Sequence, residues 1–193
     1  MKNMSLFYRS ARGKLIANAS GQAMVELAFV VTLLLVLVSA AIDFGRALSD
    51  LQLITELTRQ GAMLASRGDT LTQAVQAVQA GDFSLDLADY GELIITSVTN
   101  NNNVFTIAGQ VSAVGTKVSP APASKIGTGV GTTVTNTLPT SAKNSLQNGQ
   151  SIYVAEIFYS FTPATPIGKL TQNWPVNGTG ITLPSTLYDV GYF

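Results

Sequence analysis

Sixteen consecutive residues, 27–42, carry no charge and are mostly Leu, Val, Ala and Phe. With a further turn from residues 22–25, the run is long enough, at about 1.5 Å per residue, to cross most of a bilayer core of about 30 Å. A buried core helix is the alternative reading. Because the run is apolar on all faces, the membrane reading is preferred.

Charge sets the direction of crossing. Lys2, Arg9, Arg12 and Lys14 are the only charged residues before Glu26, so the N-terminus is expected in the cytoplasm and the C-terminal part outside it. The remaining chain carries seven basic and eleven acidic residues. The overall charge of zero therefore hides an acidic body, which argues against nucleic acid as the partner. Charged residues make up only 11% and hydrophobic ones 46%, too apolar for disorder and low in charge for a cytosolic enzyme. The 193 residues suffice for one ordinary domain with a helical extension. There is no cysteine and no histidine, which excludes disulfides, thiolate and imidazole metal sites and a histidine general base. No catalysis, cofactor or small-molecule substrate is expected.

Past the membrane run, Phe44, Ala47, Leu48, Leu51, Ile54, Leu57, Gly61 and Leu64 recur every three or four residues. This predicts that the helix continues to about residue 66 with one apolar face for a partner, and that Gly61, Ala62 and Ala65 let another backbone come close. Residues 67–90 read as a linker with a short helix between the breaks at Gly68 and Gly81. ELIITSVT (92–99) and VFTIAGQVS (104–112) read as a hairpin around the Asn run 100–103. In residues 112–150, 23 of 39 are Gly, Ser, Thr, Pro or Asn, which predicts a long irregular excursion with at most a weak strand at VGTTVTNTL. SIYVAEIFYSF (151–161) is apolar on both faces and reads as a central strand, with a last strand placed near Ile181. The fold class is thus α+β: a long N-terminal transmembrane and amphipathic helix followed by a small antiparallel sheet with long loops. The divisions are 1–21 as a basic leader, 22–66 as the long helix with its span at about 22–43, 67–90 as linker, and 91–193 as a β-rich extracytoplasmic domain.

Glu26 stands at the mouth of the apolar run, where a charge is costly in lipid unless something offsets it. Cleavage between Gly21 and Gln22 would leave a new α-amino group four residues, about one helical turn, from Glu26. In an assembly, the carboxylate of one subunit would then meet the amine of its neighbour, a pairing sensitive to position at low dielectric. Glycine, a first residue, glutamate fifth and an apolar helix behind a basic leader resemble the type IV prepilin processing site. Gln22 departs from the Phe or Met usual at the first position of type IV pilins. Asp43 and Arg46, at the predicted membrane exit, form an i, i+3 pair expected to salt-bridge weakly.

The longer stretch GQAMVELAFVVTLLLVLVSAAIDFGRAL, with Gly21, Ala23, Val25-Glu26, Asp43 and Gly45-Arg46, resembles the TadE-like family of the tight adherence (Tad/Flp) pilus system. RQGAMLASR (59–67), YVAEIFYSFTP (153–163) and the aromatic end STLYDVGYF are similar to further segments of that family. The resemblance implies a structural minor pilin or pseudopilin of a type IVb-like pilus. Its partners would be a prepilin peptidase, other pilin subunits through helix–helix contacts and the bacterial inner membrane. Its residue roles would be Gly21 and Gln22 as cleavage site and Glu26 as assembly and register residue.

The rivals are a β-rich binding domain, exported by an ordinary signal peptide cut near residues 39–41 or held by a signal anchor, a membrane-anchored enzyme using Glu156 and Asp189, or a type II secretion pseudopilin. Calcium at Asp82, Asp86, Asp89 and Glu92 is the remaining metal candidate, without the spacing of an EF-hand. Trp174 with Tyr188, Tyr192 and Phe193 reads as core packing or an aromatic contact patch. Asn18-Ala19-Ser20 and Asn177-Gly178-Thr179 fit a glycosylation pattern that chance also explains.

Overall fold

A computed structural model describes residues 4–82, 84–134, 137–173 and 183–193, with side chains from Gly21 onward. Trp174, the 177–179 acceptor and the strand placed near Ile181 lie outside the described residues, as does the side chain of Asn18. The first helix, α1 (Met4–Ser66), is a single rod that begins well before Gln22. Its section from Gly21 to Ser66 would extend for about 69 Å at 1.5 Å per residue. Gly68, at φ +104°, ends it in a left-handed conformation open to glycine at no steric cost.

Next comes α2 (Leu71–Gly81), set by a capping box in which the Thr70 side chain accepts from the Gln73 amide and the Gln73 side chain accepts from the Thr70 amide. It buries Ala74, Val75 and Val78, one stripe at helical spacing. A four-residue helix, α3 (Leu87–Tyr90), leads into the sheet. Strands β1 (Gly91–Asn101) and β2 (Val104–Val114) form the expected hairpin around Asn102 and Asn103. Both asparagines sit at positive φ, 53° and 65°, matching the two-residue turn whose twist suits a hairpin. A short helix, α4 (Thr140–Ser145), lies within the excursion. Strand β3 (Ser151–Ser160), helix α5 (Pro166–Asn173) and strand β4 (Thr186–Tyr192) complete the chain. The sheet is antiparallel, in the order β2-β1-β3-β4, so β3 is central as its two apolar faces predict.

Its two faces are buried by different parts of the chain. Leu93, Ile95, Ala155, Ile157 and Leu187 pack beneath α1 and α2, against Ala47, Ile54, Leu57, Ala62 and Ala65. The opposite face, with Val98, Phe105, Ile107, Ile152 and Val154, is covered by Ile126, Val134, Leu138 and Ala142 from the excursion. That segment is irregular, as its composition predicts, yet it serves as a lid. The weak strand expected at VGTTVTNTL reduces to one bridge, Thr133 with Thr106.

Most of the amphipathic stripe of α1, including Ala47, Ile54 and Leu57, therefore finds its partner within its own chain, a correction to the partner surface expected from the periodicity, while Phe44 and Leu48 stay exposed. The small residues act as predicted, but toward the sheet. A Cβ on Gly61 would lie 3.2 Å from Val78 and 3.4 Å from Ala155. Gly191 of β4 lets main chain meet main chain, because a Cβ there would lie 2.8 Å from the carbonyl carbon and oxygen of Thr58. Gly191→Ala is expected to lower stability by about 1–3 kcal/mol, since main chain must shift to admit the methyl. Gly45→Ala, whose methyl meets nothing within 4 Å, should leave stability unchanged or raise it. Denaturant unfolding of both variants in detergent checks the contrast.

Candidate functional site

Along α1 the surroundings change abruptly. From Gly21 to Ile42 nearly every residue is exposed, including Met24, Leu27, Leu35 and Phe29, the last at 78%. No residue in the most apolar eighteen-residue window is buried. A bare apolar cylinder of this length far exceeds the patch a water-soluble monomer leaves uncovered. By length and composition it qualifies as one membrane-crossing helix. Gly21, Gln22 and Glu26 are all exposed at its start, and Gly21 has open space around it. Glu26 makes no hydrogen bond or ion pair among the described residues.

Asp43 marks the junction, and its environment corrects the expected pairing with Arg46. Asp43 is completely buried while Arg46 is exposed, and the two form no ion pair. The Asp43 carboxylate accepts from the Ala164 amide at 2.8 Å, from the Thr165 amide at 3.1 Å and from the Thr165 hydroxyl. Thr165 Oγ1 in turn accepts from the Gly168 amide at 3.1 Å, capping α5, whose first residue is Pro166. A Cβ on Gly168 would collide with Asp43 Oδ2, so that close seat requires glycine. Three donors fixed in a turn, two of them main-chain amides that would otherwise lack acceptors, outcompete one mobile guanidinium for this carboxylate.

Fifteen residues further along α1, the buried Thr58 hydroxyl shares its proton between the Thr55 carbonyl at 2.9 Å and Asp189 Oδ2 of β4 at 3.1 Å. The helix is thus fixed to the folded part at two polar points, one at the end of the apolar cylinder and one over the sheet. Between them, Arg46 and Asp50 border a cleft with Tyr90 and Tyr159, and burial raises the Asp50 carboxyl above its ordinary value. No signal in the sequence singled out Thr58, Thr165, Gly168 or Gly191, because each matters through a contact more than a hundred residues away.

The carboxylates of the rival readings are dispersed. Register places Glu156 opposite Val190 and Asp189 opposite Ile157, so Glu156 and Asp189 point to opposite faces and do not form a catalytic pair. Asp82 accepts from the amides of Ser84, Leu85 and Leu87, organising the approach to α3. Asp89 pairs with Lys117 at 2.5 Å, and that hydrogen bond, then the one from Thr116, holds its carboxyl below the usual range. The calcium set of Asp82, Asp86, Asp89 and Glu92 is therefore not assembled. Tyr188 packs against Phe158 in a tilted arrangement with ring centroids 4.8 Å apart, while Phe193 remains exposed.

Asp43→Ala would remove the acceptor of the Ala164 and Thr165 amides and of the Thr165 hydroxyl. It is expected to cost about 1.5–3 kcal/mol and to speed amide exchange at Ala164 and Thr165 specifically, measured by hydrogen exchange in detergent.

The family model described as TadE-like protein matches residues 21–63. No curated protein and no solved structure matches the chain. The matched segment runs through the bare cylinder, the Asp43 junction and most of the helix seated on the sheet, so it is the part joining the apolar cylinder to the folded domain that is similar to the TadE-like family.

Proposed function

We propose that the chain is a structural minor pilin or pseudopilin needed for assembly of a Tad-type, type IVb-like pilus. It would reside as a single-pass protein of the bacterial inner membrane, N-terminus in the cytoplasm and sheet in the periplasm, before passing into the pilus. A prepilin peptidase cuts between Gly21 and Gln22. The apolar cylinder then leaves lipid for the helices of neighbouring pilin subunits. Without such a second apolar environment, extraction would expose surface at roughly 25 cal/mol per Å². Glu26, the only charge between Gly21 and Asp43, sets the register by meeting the new amine of a neighbour.

One observation carries this reading: a wholly uncovered apolar cylinder continues as the same TadE-like helix into a segment firmly seated on a folded domain. An anchor alone would not require the two halves to be one rigid rod.

Two experiments test it in cells that make their own membrane machinery. Gly21→Trp should block processing, so that the intact mass stays that of the full chain while the wild type begins at Gln22. A wild-type N-terminus near Ala41 would instead indicate an ordinary exported domain. Glu26→Ala should leave cleavage largely intact and reduce pilus yield about tenfold or more, a loss equivalent to at least one weakened charge pairing of roughly 1.4 kcal/mol. Normal piliation in that variant would remove the register role.

A further inference from the structure

Just past the buried Asp43 junction, a cleft of about 200 Å³ opens between α1 and the end of β3, lined by Arg46, Asp50, Tyr90, Tyr159, Ser160 and Thr162. Arg46 and Asp50 follow Asp43 at helical spacing, on the same side of α1. They carry opposite charges one turn apart, yet they close no ion pair, and neither side chain makes a hydrogen bond among the described residues. Burial holds the half-buried Asp50 carboxyl above its ordinary value, against the opposing charge of Arg46. The Tyr159 hydroxyl is likewise raised, by burial and then by the charges of Asp50 and Asp82. Lys117, the cation over the Tyr90 ring, is already paired with Asp89, and Asp82 accepts three main-chain amides. One cation and one acid thus share the cleft with two phenols and two hydroxyls, and neither charge has a partner among the described residues.

Depth along the rod says what would fill it. Residues 22–42 extend for about 31 Å, the thickness of a bilayer core, and the headgroup layer beyond each face is about 5–7 Å deep. With the rod along the membrane normal, Arg46 lies about 6 Å past Ile42 and Asp50 about 12 Å past it. Helix side chains lean toward the N-terminus, so both reach back toward the bilayer. In a zwitterionic phospholipid the phosphate is nearer the acyl chains and the ammonium ends the headgroup, the same order as Arg46 and then Asp50. Tyrosines suit this depth, and their ring faces attract an ammonium. We propose that the cleft binds the headgroup of one aminophospholipid from the leaflet on the side of the sheet, with Arg46 taking the phosphate and Asp50 the ammonium. The Ser160 and Thr162 hydroxyls supply further donors to the phosphate. An anionic headgroup without an amine would leave Asp50 unpaired and meet its charge. The inference rests on the membrane reading of the apolar cylinder, not on assembly into a pilus.

The test reconstitutes the full chain into vesicles of equal parts phosphatidylethanolamine and phosphatidylglycerol and checks insertion by flotation. The chain is then extracted in mild detergent, and native mass spectrometry weighs the lipid it retains. The wild type should keep one phosphatidylethanolamine in about tenfold preference to phosphatidylglycerol. Asp50→Asn should abolish the preference, Arg46→Gln should lose both lipids, and Glu56→Gln, exposed on the same helix outside the cleft, should behave as the wild type. A chain that does not float with the vesicles removes the membrane reading and this proposal with it. A chain that floats but retains both lipids equally, or keeps its preference in Asp50→Asn or in Arg46→Gln, overturns the headgroup site alone. Soluble phosphoethanolamine retained as strongly as the lipid would make this a site for a free solute and overturn it as well. The wild-type comparison of the two lipids stands even if a variant fails to fold.

Discussion

Where β4 crosses α1, a glycine brings main chain against main chain: the space a Cβ on Gly191 would occupy is already held by the Thr58 peptide. So close a seat removes the side-chain layer that usually separates helix from sheet, and with it the freedom of the helix to slide. The Thr58 hydroxyl and the Asp189 carboxylate then meet two strand positions from that contact. The neighbouring helix surface, Gly61, Ala62 and Ala65, is small for the same reason. The rest of the domain is built outward from this seat, with α2 closing one flank and the excursion closing the other face of the sheet.

The helix consequently lives in two solvents. In its second half most of the amphipathic stripe is covered, and its own chain supplies the cover. Among the described residues nothing covers its first half, which has the length and composition of a membrane-crossing helix. Asp43 stands where the two regimes meet, and its burial beneath the 163–168 turn shows that the folded domain begins at the first residue after the apolar run, with no intervening spacer.

The sequence was readable wherever a pattern is local. Apolar length located the span, period two and the Asn pair located the hairpin, and apolar residues on both faces identified β3 as central. The bare cylinder with Gly21, Gln22 and Glu26 at its start was visible in the same way. The binding partner of the amphipathic stripe was not, because periodicity tells which face is buried and never against what. The Asp43 pairing failed for a related reason: i, i+3 spacing proposes a neighbour on the helix, while the winning donors come from residues 164 and 165, brought back only by the path of β3. Residues 112–150 looked featureless because a lid needs only scattered apolar contacts, Ile126, Val134, Leu138 and Ala142, with no repeating pattern.

Because α1 is continuous and the domain is clamped to it from Asp43 onward, rotation of the apolar rod is rotation of the domain. Shifting the rod by one residue within a packed bundle would turn the attached sheet by about 100° and displace it by about 1.5 Å along the axis. In such a bundle the side of the molecule turned toward its surroundings would therefore be decided deep among the helices, by whatever fixes the phase of the rod, and the head would act as its pointer.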